Sequence, residues 1–113
     1  MPEVQFPDLT RAQTSVLEKL LNAGFKFVTF ERYARYLGVE KEGFVALLDT
    51  TEGKVRALSE VGYRVGEEIA MLVERREGKA FVWHSESVPA TAELLTAYMQ
   101  FKRELSELLE ARI

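Results

Sequence analysis

The amino-acid sequence predicts an α+β domain: two N-terminal helices, a four-stranded antiparallel meander of two hairpins, and a long C-terminal helix packed on the sheet. The meander is predicted because residues 44–84 contain the same plan twice, an apolar run, a charged turn with glycine, and a second apolar run. This plan is typical of a β-hairpin. When the two copies are aligned, the Glu-Gly-Lys sequence of 52–54 falls on that of 77–79. The last helix is predicted by the strongest helical periodicity in the chain, within 91–111.

The composition limits the chemistry that the chain can perform. The 113 residues are 47% hydrophobic and 29% charged, a globular balance, and we expect residues 1–113 to form a single domain. There is no cysteine and a single histidine. Disulfides, cysteine nucleophiles and thiolate metal sites are therefore excluded, and we expect neither a metal nor a cofactor.

Charge and hydropathy bear on location and partners. The net charge of −3 provides no basic field that would attract nucleic acid. The N-terminal residues lack the positive leader and apolar run of a signal peptide. No apolar stretch approaches the roughly 20 residues that cross a bilayer. We therefore expect a soluble, cytoplasmic protein with no membrane contact.

The first elements are predicted from caps and periodicity. Residues 1–8 hold two of the three prolines and are expected to form an extended arm. Thr10 and Gln13 fit a capping box at the start of the first helix, which ends at 22–24 with glycine. A second, shorter helix is predicted over Phe30 to Leu37, with Thr29 as its cap and Gly38 as its stop.

The strands of the double hairpin are predicted at 44–49, 54–59, 68–75 and 79–84. The linker 60–66 alternates apolar and polar residues, so the second strand either continues or restarts there. Val88-Pro89 is predicted to end the sheet, and Thr91 to cap the final helix, which runs to about Ala111.

Residues 28–49 resemble the helix-turn-helix of bacterial repressors. The matching positions are the small residue at the helix crossing, the turn glycine, the residue after it, and two apolar positions of the recognition helix: Ala34, Gly38, Val39, Phe44 and Leu47. The resemblance implies a DNA-binding regulator, with 69–84 as a β-wing. Against this, residues 28–49 carry three basic and four acidic side chains, whereas DNA binding requires several phosphate neutralisations. DNA binding is therefore the alternative hypothesis.

A ligand- or partner-binding surface is predicted from arginine and aromatic residues. Arg32 and Arg35 flank Tyr36, which lies off the apolar face of the predicted second helix. Such a surface suits an anionic ligand or a partner's side chain, and the alternative is that the aromatic residues belong to the core. Tyr63 and Arg64 are further candidates, although their glycine-flanked segment lacks the strand–loop–helix context of a phosphate site.

His84 is the only histidine, so any imidazole chemistry must use it. Its neighbours Ser85 and Glu86 do not make a catalytic triad, because adjacent residues of a strand point to opposite faces. We interpret His84 as an edge residue that touches solvent and remains available to a ligand. No catalytic residue is predicted.

The final helix predicts self-association. Its apolar residues step by four, three, four and three, the spacing of a coiled-coil seam: Leu94, Tyr98, Phe101, Leu105 and Leu108. Leu95, Met99 and Leu109 widen the stripe beyond the need of one small sheet. The alternative is a helix buried on its own sheet. Together these patterns favour a non-catalytic protein-interaction or small-ligand-binding module that acts as a homodimer.

Overall fold

The computed structural model describes residues 9–110, apart from the side chains of Glu52, Ser59 and Glu60. The described chain forms two α-helices and seven strands: α1 (Arg11–Asn22), β1 (Lys26–Val28), β2 (Leu37–Lys41), β3 (Phe44–Asp49), β4 (Arg56–Val65), β5 (Glu68–Arg75), β6 (Gly78–Trp83), β7 (Glu86–Pro89) and α2 (Ala92–Leu109). The strands form one antiparallel sheet in chain order, from β1 at one edge to β7 at the other. The predicted arm, 1–8, and the predicted helix end at Ala111 lie outside the described residues.

The α+β class with an antiparallel sheet is confirmed, but the predicted arrangement of two N-terminal helices and four strands is wrong. The predicted second helix does not form. Its place is taken by a single 3-10 turn at Glu31–Tyr33 and by β2, which pairs with both β1 and β3. Gly38 is not the predicted helix stop but lies opposite Val28 in the β1–β2 pair. A Cβ atom there would meet the Val28 side chain and carbonyl oxygen at 2.7 and 2.8 Å, so only glycine fits.

The sheet also continues beyond its predicted end. Val88 and Pro89 belong to β7, an edge strand, where a proline is tolerated because no further strand needs its missing N–H. The second predicted strand runs through the linker to form the ten-residue β4. The predicted ranges 44–49 and 68–75 coincide with β3 and β5.

Helix α1 begins with the predicted capping box. The Thr10 hydroxyl accepts from the Gln13 backbone N–H at 3.1 Å, and the Thr10 N–H donates to Gln13 Oε1 at 2.8 Å. Gln13 is buried, and its Nε2 also donates to the carbonyl oxygens of Thr50 and Lys54. The cap therefore fixes the start of α1 to the connection between β3 and β4.

The two faces of the sheet are covered differently. The face under both helices, called the helix face here, forms the main core, in which aromatic side chains of the sheet meet those of α2: Phe44, Tyr63, Phe81, Tyr98 and Phe101. On the opposite, outer face, the β1–β2 connection (29–36) places Phe30 over a smaller cluster of Val45, Leu47 and Ile69. This connection is thus a lid of aromatic residues rather than a helix.

Strand β5 changes its partner along its length. Residues 68–70 pair with β4, whereas residues 71–75 pair with β6. The strands come close at Gly62, where a Cβ atom would collide with the carbonyl oxygen of Ala70. Strand β5 therefore joins β6 and β7 to the first part of the sheet. Neither described helix is long and apolar enough to cross a membrane.

Candidate functional site

Three of the predicted ligand-binding residues lie at one end of the sheet, around Glu68. Arg32 Nη1 donates to Glu68 Oε2 at 3.1 Å, and His84 Nε2 lies 3.1 Å from Glu68 Oε1. Arg64, two residues before the β4–β5 turn, donates to the carbonyl oxygen of Gly66 and forms an ion pair with Glu40 at 3.2 Å. Each of these three side chains therefore already has a carboxylate partner.

Glu68 connects three separate segments of the chain. Arg32 belongs to the β1–β2 connection, Glu68 begins β5, and His84 lies in the β6–β7 turn. The hydrogen bond from His84, followed by the charges of His84 and Arg32, lowers the pKa of the Glu68 carboxyl against a smaller opposing effect of desolvation. Because the Arg32 and His84 side chains are 57% and 60% exposed, the group is hydrated and lacks the enclosure of a catalytic site.

The backbone of His84 adopts a left-handed conformation, with φ of 53°. Such a φ is uncommon for residues other than glycine, although asparagine, aspartate and histidine adopt it more often than most. The chain thus places its only histidine at a left-handed position in the β6–β7 turn. The contact with Glu68 gives this side chain a structural role in joining β5 to the β6–β7 turn.

The remaining predicted ligand residues lie elsewhere. Arg35 is exposed on the β1–β2 connection. Hydrogen bonds from Thr51 are the main cause of the lowered pKa of the Asp49 carboxyl, and the charge of Arg35 contributes less. Tyr36 packs on the outer-face cluster. Tyr63 is on the helix face, with its ring 5.5 Å from that of Phe44. Tyr63 and Arg64 are adjacent in sequence but do not share a surface, because neighbouring residues of a strand point to opposite faces.

The helix-turn-helix interpretation of 28–49 is wrong for these described residues. The segment that would form the recognition helix is the β2–β3 hairpin, with Lys41 opposite Phe44. Glu40 pairs with Arg64, and Lys41 donates to Glu104 at 2.7 Å, so both polar side chains hold the fold together. The resemblance to a helix-turn-helix rested on the spacing of apolar residues, and a pair of strands can have the same spacing.

The predicted dimer seam on α2 is directed at the protein's own core. Tyr98, Phe101 and Leu105 are buried there, and Leu94 and Leu108 are partly buried against the same cluster. Met99, which widens the stripe, is 63% exposed. The spacing therefore describes the packing of α2 on its sheet, and the side chains left for a partner lie on another side of the helix.

A second exposed apolar surface lies on the outer face of the sheet, beyond the lid. We call it the outer patch, and it is formed by the exposed Met71, Val73 and Pro89 with the partly exposed Val82 and the buried Ala80 between them. Met71 and Val73 alternate with helix-face residues of β5 and lie opposite Val82 and Ala80 of β6. Pro89 lies opposite Ala80 in β7. The signal in the sequence was the alternation in β5, but only the sheet topology shows which face remains uncovered.

The described residues contain no group of three or more histidine, aspartate or glutamate side chains that could hold a metal ion. Comparison of the chain with protein-family models, curated proteins and solved structures gives no significant match.

Proposed function

We propose that the protein is a non-catalytic protein-interaction module of the cytoplasm that acts as a homodimer, in which two copies meet through the outer patch. One observation carries the proposal: the lid covers the outer face as far as Ile69 and stops there. The next two residues on that face, Met71 and Val73, are 38% and 39% exposed. A cluster of exposed apolar side chains on one face is characteristic of an interaction surface.

The chemistry of the outer patch favours a second copy of the chain. Its side chains are uncharged, and the nearest charge on the same face of β5 is Arg75 at the hairpin end. A twofold contact brings the same surface of each copy together, which is unfavourable for a charged surface but not for this one. Two β-sheets pack face to face through such side chains at about 10 Å separation.

The size of the outer patch sets the strength of the expected dimer. Stable interfaces bury roughly 1,200–2,000 Å² in total, and five side chains on three short strands supply less. We therefore expect a reversible monomer–dimer equilibrium with a dissociation constant in the micromolar range.

Sedimentation velocity over a range of chain concentrations tests the proposal. The mean sedimentation coefficient should rise from the monomer toward the dimer value as concentration increases. Val73→Glu should abolish this rise, because it would place two carboxylates in the contact. Ser15→Glu adds the same charge at an exposed position of α1 and should leave the rise unchanged. A wild-type protein that remains monomeric throughout, or a Val73→Glu protein that still dimerises, would contradict the proposal.

A further inference from the structure

Helix α2 carries an exposed surface beside its buried stripe, on a different part of the molecule from the outer patch. An open groove of about 710 Å³ runs along this side of the helix, and we call it the α2 groove. It is lined by Leu95, Thr96, Met99, Gln100, Lys102, Arg103 and Ser106. Within the part of the chain that the structure describes, all of these residues belong to α2.

The α2 groove has an apolar centre. Leu95 and Met99 are four residues apart and therefore adjacent on the helix surface. Met99 is the most exposed of the large hydrophobic side chains in the described residues. Methionine is unbranched and flexible, so it adapts to the shape of an apolar side chain placed against it. These features suit an apolar anchor from a partner.

The α2 groove is also positively charged within a chain of net charge −3. Its described lining includes Lys102 and Arg103, and Gln100 of the same lining donates to the Glu104 carboxylate, which Lys41 also binds. Among the described side chains, neither cation lies within 4.0 Å of a carboxylate oxygen, whereas the nearby Glu104 is bound by Lys41. Lys102 Nζ lies 5.4 Å from the centre of the Tyr98 ring, which holds the ammonium group close to the helix surface.

These charges determine which partner suits the α2 groove. A second copy docked symmetrically would bring two lysines and two arginines together, and like charges at an interface are strongly unfavourable. An acidic partner would instead neutralise them. We propose that the α2 groove binds an acidic polypeptide segment that places an apolar side chain beside Leu95 and Met99 and carboxylates against Lys102 and Arg103. This surface is separate from the outer patch.

The proposal is tested with a fluorescein-labelled synthetic peptide of about 18 residues that has leucine along one helical face and glutamate elsewhere. Fluorescence anisotropy should show binding to the full chain that weakens as salt is raised. A matched peptide with lysine in place of every glutamate should not bind. Equal binding of the two peptides, or no binding of the acidic one, would overturn the proposal.

Variants of the chain locate the binding site. Lys102→Glu combined with Arg103→Glu should weaken acidic-peptide binding by about tenfold or more, and Met99→Ser should weaken it by a similar factor. Arg11→Glu combined with Lys19→Glu makes the same charge change on exposed positions of α1 and should bind as the wild type does. Circular dichroism and thermal melting verify that each variant is folded. Wild-type affinity in the folded groove variants would overturn the assignment.

Two other occupants are separated by parallel measurements. Vesicles rich in phosphatidylserine would sediment with the protein if the groove bound anionic lipid. The polypeptide assignment would be overturned if the groove variants lost this co-sedimentation and the wild-type protein did not bind the acidic peptide. Sedimentation velocity on the same variants shows whether the groove joins two copies. Loss of dimers in the Met99→Ser protein would also overturn the proposal, whereas unchanged dimers support a separate surface.

Discussion

Gly62 shows how a single residue permits two strands to approach closely. It lies where β5 leaves β4, and a Cβ atom at this position would collide with the backbone of Ala70. We expect Gly62→Ala to lower the free energy of unfolding by about 3 kcal/mol, because the two strands must separate to admit the methyl group. Urea denaturation of the purified variant measures this loss.

Gly66→Ala is the matched control for that measurement. Gly66 has a positive φ of 59°, but a Cβ atom there meets nothing within 4 Å. Gly66→Ala should therefore lower the free energy of unfolding only by the backbone strain, about 1 kcal/mol. If Gly62→Ala and Gly66→Ala lowered the free energy of unfolding equally, the close approach of β5 to Gly62 would not be the cause of the loss in Gly62→Ala.

Residues with local partners were predictable, and residues with distant partners were not. Thr10 and Gln13 are three positions apart, so their capping box follows from the sequence. Gly38 and Gly62 carry no local sign of the atoms that approach them, and Gly38 resembles a helix stop equally well. His84 was expected at a strand end, but its partner Glu68 is brought near only by the folding of β5 and β6.

At the scale of elements, Lys41 joins three of them. It lies at the end of β2, and its ammonium group donates to the carbonyl oxygen of Ala23 after α1 and to Glu104 in α2, at 2.8 and 2.7 Å. The hydrogen bond from Lys41 lowers the pKa of the Glu104 carboxyl, against a smaller effect of desolvation. Folding therefore favours the ionised form of Glu104.

The pH dependence of stability follows from the direction of this shift. The contribution of Glu104 is fully present above the ordinary carboxyl pKa of 4.5 and is lost as the pH falls through the lower pKa of the folded state. Thermal melts from neutral to acidic pH should show a shallower decline for Glu104→Gln than for the wild type. Glu107→Gln, an exposed change on the same helix, should leave the slope unaltered. A wild-type slope in Glu104→Gln would contradict this role.

The spacing of apolar residues predicted an element correctly where the same residues are buried in the structure. The strands β3 and β5 and the helix α2 carry long, regular apolar patterns, and their predicted positions lie close to those observed. The segment 30–37 has an equally regular helical spacing, but its aromatic residues cover the outer face instead. Tertiary packing decides such short segments, because so few residues gain little from helix formation alone.

At the scale of the whole molecule, Glu68 links the lid to the β6–β7 turn through Arg32 and His84. We expect Glu68→Ala to increase hydrogen exchange of backbone amides in 29–36 and 83–86, since both segments lose a contact with β5. Exchange in α1 should remain unchanged. Glu67→Ala, at the exposed neighbouring position, provides the control, and wild-type exchange near His84 in Glu68→Ala would contradict the link.

The order of the strands has a consequence for how the chain assembles. Each strand pairs with its neighbour in the chain, so the sheet is built from short loop closures, which favour rapid folding. Its aromatic helix face, including Phe44 and Phe81, is completed only by α2, which follows all seven strands. A nascent chain that has been synthesised only as far as β7 therefore exposes the aromatic side chains of the helix face to solvent. The emergence of α2 is the step that protects the chain from aggregation.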